Sequence, residues 1–248
     1  MTNDYSCDLH IHSCLSPCGD NDMTPANIAG MAVINNLNIV ALTDHNTSKN
    51  CPAFFTQARR NGLIPVAGME LTTSEDVHII CLFRDLESAM DFDTFVEKKR
   101  ILVKNKPSIF GDQFIMDEND AVIASEENLL INATSLSIEE AFEEVACRGG
   151  VAFPAHIDRE ANGIVAVLGT FPETPGFTAY ELNDGHNDEA YRSRFQVLNG
   201  LKKVVSSDAH YLWNISEADF SITLSVDEYS SANVRNALID YLLTGREN

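Results

Sequence analysis

Histidines and carboxylates in two closely spaced pairs are the residues of this sequence that predict chemistry most directly. His10 and His12 form an H-x-H pair, and Asp208 and His210 repeat that spacing with a carboxylate in place of one imidazole. Side chains two residues apart on a strand point to the same side, so each pair can direct two ligand atoms at one point. Imidazole nitrogens together with carboxylate oxygens suit zinc, manganese or iron better than calcium or magnesium.

Six of the seven histidines fall in or just after predicted strands, together with four carboxylates. They are His10, His12, His45, His78, His156 and His210, accompanied by Asp8, Asp44, Glu70 and Asp208. These are too many ligands for one tetrahedral ion, so the sequence predicts two or three divalent ions. Asp8 and Asp44 are expected to support neighbouring ligands. His186, in a polar run, is expected to be an ordinary surface residue.

Short apolar runs bounded by turn residues predict seven buried parallel strands. The runs cover Tyr5–Ile11, Asn38–Thr43, Leu63–Met69, Val77–Phe83, Val151–Pro154, Thr178–Leu182 and Lys203–Ser206. Helical patterns lie between them, one beginning at Thr24-Pro25 and another at Ser137 with Glu140 as a capping box. The alternation predicts an α/β fold, either a barrel or a doubly wound sheet. In a barrel the strand ends open on one face, which would bring these side chains together.

The segment between residues 84 and 135 interrupts this alternation. Leu86–Val103 reads as a charged helix, and Gln113–Ala124 reads as a hairpin that turns at Asp117–Asp120. We interpret the segment as an insertion within a single domain that spans residues 1–248. We expect it to cover the site in part, because functional loops commonly lie over such openings.

Composition and charge limit the partners and the location. The 248 residues carry 37 acidic and 17 basic side chains, a formal net charge of −20. This charge would repel a phosphate backbone and argues against long nucleic acid as a partner. No apolar stretch is long enough to span a bilayer, and no signal peptide is evident, so a cytoplasmic location without a membrane partner is expected. Six cysteines without a C-x-x-C pair predict buried thiols. The oligomeric state is left open.

Six motifs in order resemble those of the PHP (polymerase and histidinol phosphatase) family, in its metal-dependent phosphoesterase branch. They are Asp8-Leu9-His10-Ile11-His12-Ser13, Thr43-Asp44-His45-Asn46-Thr47, Gly68-Met69-Glu70, His78, Pro154-Ala155-His156 and Ser207-Asp208-Ala209-His210. The resemblance spans residues 5–211. One H-x-H pair alone would be weak, and the order of all six motifs carries the resemblance.

The resemblance implies a distorted (β/α)7 barrel that holds two or three divalent ions, Mn, Zn or Fe. By motif, the first ion would be bound by His10, His12, Glu70 and Asp208, the second by Glu70, His78 and His156, and the third by His45 and His210. Glu70 would bridge the first two ions. The family adds an Asp or His to the third site, where this sequence has Ser16–Asp20. Asp20 is favoured there as a hard oxygen ligand, and Cys18 is the other candidate.

The activity implied is hydrolysis of a small phosphate ester, such as a nucleotide, sugar or amino-alcohol phosphate. A hydroxide held between two ions would attack phosphorus, with Glu70, Asp208 and His210 as catalytic residues and Asp208 or His210 moving the proton. Arg159, three residues after His156, would clamp a phosphate oxygen or lie on a helix surface. Three divalent ions would add +6 at one face of the acidic chain, which makes the site locally attractive to phosphate.

Three other functions remain open. A metal-dependent amidohydrolase shares the H-x-H pair and the late Asp, but commonly bridges its metals through a modified lysine, where this chain has Glu70. A 5′-3′ exonuclease or oligonucleotide phosphoesterase is disfavoured by the acidic charge and by the lack of an aromatic and basic stripe. A non-catalytic metal-binding regulatory domain is disfavoured by the full ligand set, although the altered third site leaves it open.

Overall fold

A computed structural model describes residues 2–245, in which strands and helices alternate as the sequence predicts. The strands are β1 (Thr2–Asp8), β2 (Ile39–Leu42), β3 (Ile64–Thr72), β4 (His78–Phe83), β5 (Phe114–Met116), β6 (Val122–Ser125), β7 (Val151–Pro154), β8 (Ala179–Leu182), β9 (Lys202–Val205) and β10 (Ser221–Ser225). The helices are α1 (Pro25–Ile34), α2 (Cys51–Arg60), α3 (Leu86–Glu97), α4 (Pro107–Phe110), α5 (Ile138–Cys147), α6 (Ile164–Leu168), α7 (Asp188–Arg194) and α8 (Ser231–Leu243). Each predicted strand is present within three residues of its expected bounds.

Seven strands form the staves of a distorted barrel. Strands β1, β2, β3, β4 and β7 pair in that order, and β8 pairs in parallel with β9. The Ile157 N–H donates to the Glu181 carbonyl at 2.9 Å, which links the end of β7 to β8. A parallel bridge between Ile11 and Ala209 joins the segments after β1 and β9. The α/β class and the barrel-like architecture are therefore confirmed, with β10 added antiparallel to β1 at the outer edge.

Strand β4 departs from the expectation that all the staves run parallel. It pairs antiparallel with both β3 and β7. The reason is a tight turn after β3, where the Thr73 N–H donates to the Val77 carbonyl at 2.9 Å and Asp76 has φ +66°. Because the strand is reversed, its first residue, His78, pairs with Thr72 at the end of β3. His78 thus reaches the same end of the barrel as the other candidate ligands.

The core has two hydrophobic clusters that divide the two faces of the staves. Ile39 and Ala41 of β2 belong to one cluster, and Val40 and Leu42 belong to the other, as the two-residue period of a strand requires. The first cluster packs against α8, and the second packs against α1, α2, α3 and α5. Both faces of the staves are therefore buried, one mainly against side chains of the other strands and α8 and the other against the remaining helices, which explains why most staves read as continuous apolar runs.

The predicted helix starts are confirmed by their caps. At the start of α1, the Thr24 hydroxyl accepts a hydrogen bond from the Asn27 N–H, and Pro25 is the first helical residue. At the start of α5, Ser137 and Glu140 form a reciprocal capping box. Helix α5 ends before Gly149, whose φ of +69° favours glycine. Among the helices between residues 2 and 245, none has the length and apolar composition that a bilayer crossing requires.

The segment between residues 84 and 135 forms a helix, a hairpin and irregular chain. Helix α3 ends at Glu97, six residues earlier than predicted, because the chain then pairs through Arg100–Thr134 and Lys104–Asn128 bridges. Strands β5 and β6 form the predicted hairpin. The Phe114 N–H donates to the Cys14 carbonyl at 2.9 Å, so the segment packs against the loop after β1. Its roles as an insertion in a single domain and as a cover for the site stay predictions.

Four of the six thiols are buried. Cys7, Cys14, Cys51 and Cys81 lie in the interior, whereas Cys18 and Cys147 are exposed, and all six are free. The predicted burial thus applies to the cysteines in apolar segments. Burial raises the pKa of the Cys7, Cys51 and Cys81 thiols well above the usual range, which keeps them protonated.

Candidate metal centre

Six staves bring the candidate ligands to one end of the barrel. His10 and His12 follow β1, His45 follows β2, Glu70 lies in β3, His78 begins β4, His156 follows β7, and Asp208 and His210 follow β9. Parallel bridges between Ile11 and Ala209, and between His45 and Glu70, keep these chain segments in register. Eight of the nine residues proposed as ligands from sequence therefore lie together, and Asp20 is the exception.

The backbone turns sharply where three of the strand ends meet the cluster. Asn46, His156 and Asp208 have φ values of +51°, +26° and +51°, in the left-handed region that favours glycine. Each such residue costs about 1–3 kcal/mol and persists only where its surroundings hold it in place. The Asn46 side chain, for example, donates to the Leu130 and Asn132 carbonyls at 2.6 and 2.9 Å. Strain of this kind is typical of a functional site.

The Glu70 carboxylate lies between two groups of imidazoles. Its Oε1 atom is 2.7–3.4 Å from ring nitrogens of His78, His156 and His10, and its Oε2 atom is 2.9–3.2 Å from those of His45 and His12. Glu70 itself is buried. One carboxylate that faces two sets of nitrogen ligands has the arrangement that a bridge between two ions requires.

The ligand atoms are spaced as a bound ion would space them. His10 Nε2 and His12 Nε2 lie 3.0 Å apart, and they lie 3.3 and 3.1 Å from Asp208 Oδ1. Metal–nitrogen and metal–oxygen bonds of about 2.0–2.1 Å place neighbouring ligands of a tetrahedral ion about 3.3 Å apart. Among the described residues, three groups have candidate ligand atoms that all lie within 4.8 Å of one another: His10, His12, Glu70 and Asp208; His45, Glu70 and His78; and His12, His45 and His210.

Several ligand atoms are buried without a hydrogen bond. His45 Nδ1, Glu70 Oε2 and Asp208 Oδ1 have no hydrogen-bond partner within the described structure. His45 Nδ1 nevertheless lies 2.9 Å from Glu70 Oε2, without the angles of a hydrogen bond. Buried polar atoms are seldom left unpaired. Atoms that face one another in this way fit a shared cation, so the residues present fit divalent metal ions.

The scarcity of lysine and arginine partners for the buried carboxylates supports the same conclusion. Five carboxylates are buried at or beside the cluster: Asp8, Asp44, Glu70, Glu181 and Asp208. Within residues 2–245, Arg159 is the one lysine or arginine side chain that forms an ion pair with any of them. Burying an unpaired charge costs several kcal/mol. Two or three divalent ions would supply +4 to +6 and offset that cost.

The pKa values of Glu70, His45 and His210 are shifted toward the forms that bind metals, whereas the nearby carboxylates raise the pKa values of His10 and His12. Burial would raise the pKa of Glu70, but the neighbouring imidazoles of His78 and His10 outweigh it, so the pKa lies well below the usual range. Burial lowers the pKa of His45 to about 4 and that of His210 to about 3. Ionised carboxylates and neutral imidazoles are the forms that bind metals. For His12, burial opposes protonation, but the Asp208 and Glu70 carboxylates outweigh it and raise the pKa to about 9.

Asp8 and Asp44 support the ligand loops, as expected from their positions. Asp8 accepts the backbone N–H groups of Ser207 and Ser216, each at 3.1 Å, and so ties the end of β1 to the loops after β9. Asp44 accepts the Ser13 N–H and the Ser16 hydroxyl, each at 2.7 Å. Both carboxylates accept hydrogen bonds from loop residues, and these bonds fix the segments that carry His10, His12 and Asp208.

Glu181 is a site residue that the sequence analysis did not identify. Its Oε1 atom lies 2.9 Å from His10 Nδ1 and accepts the His156 N–H at 3.0 Å. A carboxylate on the far ring nitrogen fixes the orientation and tautomer of a metal-binding imidazole. Glu181 is the single charged residue in the apolar run Thr178–Leu182. A carboxylate within a buried strand, as Glu70 is in β3, is the sequence feature that could have identified Glu181.

Glu181→Gln is expected to weaken metal binding by about 10- to 100-fold, the usual cost of losing such a supporting contact. The glutamine amide is neutral, so it would not raise the basicity of His10 as the Glu181 carboxylate does. Titration of metal-free protein with Zn²⁺ measures the change. Glu189→Gln, an exposed residue of α7, is the matched control. An unchanged affinity in Glu181→Gln would show that the contact does not tune the metal.

The third ligand group has no clear contribution from Asp20 or Cys18. The Asp20 N–H donates to the His210 carbonyl at 2.9 Å, which places its backbone beside the cluster. Its carboxylate, however, accepts the Asp22 N–H at 2.8 Å within the following turn. Neither Asp20 nor Cys18 belongs to the three ligand groups among the described residues. That Asp20 or Cys18 binds the third ion therefore stays a prediction.

A cleft of about 160 Å³ opens onto the cluster and is lined in part by His78, His156, Arg159 and His210. The Arg159 guanidinium donates to Asp208 Oδ2, and its side chain is 42% exposed, so it can also meet a ligand in the cleft. Its role as a phosphate clamp stays a prediction. The side chain of His186 is 98% exposed and contacts Asp184 at 2.8 Å, as expected of a surface residue.

The chain is similar to known proteins in one family profile and in several solved structures. The PHP domain family profile matches residues 8–150. No curated protein sequence matches the chain. Among solved structures, the lesion-specific endonuclease Endonuclease Q from Pyrococcus furiosus superposes with a TM-score of 0.67 at 17% identity, over 96% of this chain and 56% of that chain. A protein from Bifidobacterium adolescentis, described as a metal-dependent phosphoesterase, superposes with a TM-score of 0.56 at 17% identity, covering 98% and 96% of the two chains.

An amidohydrolase from Chromobacterium violaceum also shares the fold. It superposes with a TM-score of 0.53 at 20% identity, over 89% of this chain and 92% of that chain. These identities are low, so the likeness shows a common fold. This chain spans 56% of the length of Endonuclease Q.

The expectation that long nucleic acid is an unlikely partner is wrong. A second structure of Endonuclease Q, with a TM-score of 0.60 and 19% identity over 96% of this chain and 56% of that chain, holds a 27-mer duplex with an abasic lesion at its active site. A protein that shares this fold over 96% of this chain thus binds duplex DNA. Net charge averages over the whole surface, whereas binding depends on the local field at the site, so the value of −20 does not exclude such a partner.

Proposed function

Because the chain belongs to the PHP domain family of metal-dependent hydrolases, we propose that it hydrolyses a phosphate ester at a centre of two or three divalent ions. The observation that carries the proposal is the Glu70 carboxylate, which lies between two groups of imidazoles with both oxygens within 3.4 Å of ring nitrogens.

The residues that would hold the ions form three sets, and Glu70 belongs to the first two. His10, His12, Glu70 and Asp208 would hold the first ion, Glu70, His78 and His156 the second, and His45 with His210 the third. This nitrogen and oxygen ligand set suits manganese, zinc or iron. Ions bound there would polarise a phosphoryl oxygen and make water a nucleophile at neutral pH.

The side chains of the cleft would orient the substrate. Arg159 would bind phosphate oxygens through its fork of N–H donors, and Asp208 holds the guanidinium in place. His210 also lines the cleft, and its Nδ1 lies 2.9 Å from the Asp208 carbonyl, so its other ring nitrogen would bind the third ion or, where that ion is absent, accept a hydrogen bond from the reacting group. Glu70, Asp208 and His210 are thus the residues that would lie closest to the reacting phosphate.

Two kinds of substrate fit this proposal. A cleft of about 160 Å³ holds a phosphoryl group and a few further atoms, so the rest of the substrate would lie outside it. A small phosphate ester, such as a nucleotide, sugar or amino-alcohol phosphate, is the first candidate. A nucleic-acid strand is the second, favoured by the fold that the chain shares with Endonuclease Q. Metal-dependent amidohydrolases commonly bridge their metals through a modified lysine. This chain has Glu70 in that place, which disfavours amide hydrolysis.

A hydrolysis panel tests the proposal. The substrates are nucleoside monophosphates, sugar phosphates, amino-alcohol phosphates, a 5′-phosphorylated single strand, an abasic duplex and N-acyl amino acids, each with Mn²⁺, Zn²⁺ or Fe²⁺. We expect metal-dependent cleavage of at least one phosphate ester. His12→Ala should abolish it, and His186→Ala, which replaces the exposed histidine, should retain it. Cleavage of the amides alone, or of none of the substrates, would contradict the proposal.

A further inference from the structure

Basic side chains are concentrated in one short segment of this acidic chain. Residues 98–106, which follow helix α3, carry five of the 17 lysine and arginine residues and no carboxylate. The five are Lys98, Lys99, Arg100, Lys104 and Lys106. The other basic residues are scattered among 37 acidic ones along the rest of the chain. We call residues 98–106 the basic segment.

The lysines of the basic segment are not neutralised by ion pairs. Arg100 contacts Glu97 and Glu126 at 3.1 and 3.3 Å, but none of the four lysines forms an ion pair within residues 2–245. Two further carboxylates, Glu127 and Asp112, line a cavity together with one of these lysines, so the lysines outnumber them. The segment itself is therefore a locally positive surface on an acidic protein. Its exposed lysines are Lys98, Lys104 and Lys106.

The beginning of the basic segment lies at the end of the barrel that carries the candidate ligands. Arg100 forms an antiparallel bridge with Thr134, and the Thr134 N–H donates to the Thr72 carbonyl at 2.9 Å. Thr72 in turn pairs with His78, which lines the cleft. Neighbouring paired backbones lie about 5 Å apart, so these three steps place Arg100 within roughly 15 Å of His78.

The chain that leaves the basic segment is anchored at the same end of the barrel. It forms the short helix α4 and then reaches Gly111, whose φ is +96°. A side chain at Gly111 would collide with the Pro17 carbonyl, so its backbone packs closely against the loop after β1. That loop follows the candidate ligands His10 and His12. The basic segment therefore runs along the rim of the end onto which the metal centre opens.

A polymer of phosphate groups fits the cleft and the basic segment together. The cleft of about 160 Å³ holds one phosphoryl group and a few further atoms, so a longer substrate continues outside it. Successive phosphates of a nucleic-acid strand are about 3.4 Å apart along its axis, so about four or five nucleotides span roughly 15 Å. A strand can therefore place one phosphate at the metal centre and others at the lysines. A mononucleotide or a sugar phosphate is too short to do so.

The side chains between these lysines are aliphatic. Ile101, Leu102 and Val103 are 53%, 67% and 47% exposed, and leucine and isoleucine pack against base steps in several DNA-binding proteins. An anionic bilayer also attracts lysines, but it offers no single molecule that extends from the cleft to the segment. We propose that the basic segment binds the backbone of a nucleic-acid strand whose reacting phosphate lies in the cleft. This inference rests on the proposed function and selects the strand from its two kinds of substrate.

Loss of the exposed lysines tests the inference by fluorescence anisotropy. The probe is a labelled twelve-nucleotide phosphorothioate strand, which resists hydrolysis and keeps the charge of each linkage, added to the metal-loaded protein. Replacing Lys98, Lys104 and Lys106 together with glutamine should weaken binding by roughly 10- to 100-fold at 0.1 M salt, because each lysine–phosphate contact releases a counterion. The slope of log affinity against log salt concentration should become shallower by about 2.

A matched control removes the same number of charges elsewhere. Combined replacement of Arg60, Arg194 and Lys202 with glutamine gives the same net charge and should leave strand affinity within about twofold of the parent. The lysines of the test variant are exposed and form no ion pair, so both variants should retain the melting temperature of the parent within a few degrees. Equal loss of affinity in the two variants, or no loss in either, would overturn the inference.

Strand length gives an independent check on the position of the segment. Adenosine 5′-monophosphate and a dinucleotide end before they reach the lysines, so their affinities should be the same in the parent and in the lysine variant. Strands longer than about five nucleotides should bind the parent more tightly than the lysine variant. A loss of affinity for adenosine 5′-monophosphate equal to that for the twelve-nucleotide strand would overturn the inference.

Probes of different chemistry identify the partner. A DNA strand, an RNA strand and a twelve-base-pair duplex are compared, and lysine-dependent binding of any one supports the inference and identifies its form. Vesicles of phosphatidylcholine and phosphatidylglycerol in equal parts are the contrasting probe. Lysine-dependent binding to the vesicles, with no such binding to any nucleic acid, would overturn the inference and identify a membrane surface.

Two outcomes separate this inference from the proposed function. Metal-dependent hydrolysis of small phosphate esters by a protein that shows no lysine-dependent binding to nucleic acid would overturn the inference and leave the proposed function standing. Lysine-dependent binding to a strand, without hydrolysis of any phosphate ester, would support the inference and contradict the proposed function.

Discussion

Replacing Glu70 with glutamine is expected to lower phosphoesterase turnover by about 1,000-fold, equivalent to about 4 kcal/mol of transition-state stabilisation. The physical reason is the position of the carboxylate, whose two oxygens face separate groups of imidazoles at 2.7–3.4 Å. A neutral amide has one oxygen acceptor, and its NH₂ group would face ring nitrogens or a cation. It cannot bridge two ions.

The control for this variant is Glu75→Gln. Glu75 lies five residues farther along the chain, in the turn between β3 and β4 and outside the ligand groups of the described residues. Its replacement should leave turnover within a few-fold of the parent. Circular dichroism should show that Glu70→Gln remains folded. Near-parental turnover in a folded Glu70→Gln protein would show that the bridging role is misassigned.

Removal of bound metal is expected to lower the melting temperature by roughly 8–16 °C. One ion at 1,000 times its dissociation constant stabilises the folded state by about 4 kcal/mol. In a chain of this size each kcal/mol shifts the melting temperature by about 2–4 °C. The loss arises because buried carboxylates such as Glu70 and Asp208 are left beside one another without the cations that offset their charge.

Differential scanning calorimetry of the purified protein, with and without a chelator, measures this change. Re-addition of Zn²⁺ or Mn²⁺ after removal of the chelator should restore the melting temperature. His12→Ala should show a smaller shift on chelation than the parent, and His186→Ala should show the same shift. If chelation leaves the melting temperature of the parent unchanged, the cluster is not a site of tight metal binding.

The sequence predicted those parts of the fold that depend on local pattern. The runs behind β2 and β7 are apolar because both faces of each strand are buried, and the structure reproduces them within one residue. The caps at Thr24 and Ser137 depend on hydrogen bonds within a single turn, so composition alone identifies them. The convergence of His10, His12 and Asp208 followed from one further rule, that strand ends in a barrel share a face.

Features that depend on tertiary pairing could not be predicted in the same way. An apolar strand reads the same in either direction, so the sequence did not show that β4 runs antiparallel to β3. Glu181 was missed because its function depends on contacts with His10 and His156, far away in the chain. Helix α3 reads as longer than it is, because its end is set by pairing of Arg100 with Thr134.

The binding partner was the property that the sequence predicted least well. Net charge is a sum over the surface and does not report the local environment of a cleft, so the argument from −20 against long nucleic acid failed.

The most direct test of the central claim is the metal content of the protein, purified without added metal and measured again after incubation with Mn²⁺, Zn²⁺ or Fe²⁺. Inductively coupled plasma mass spectrometry gives the number of ions per chain. The arrangement around Glu70 predicts two or three divalent ions per chain in the loaded protein, and at least one ion fewer in Glu70→Gln. Fewer than one ion in ten chains after loading, in protein with a cooperative unfolding transition, would contradict a metal centre at this end of the barrel.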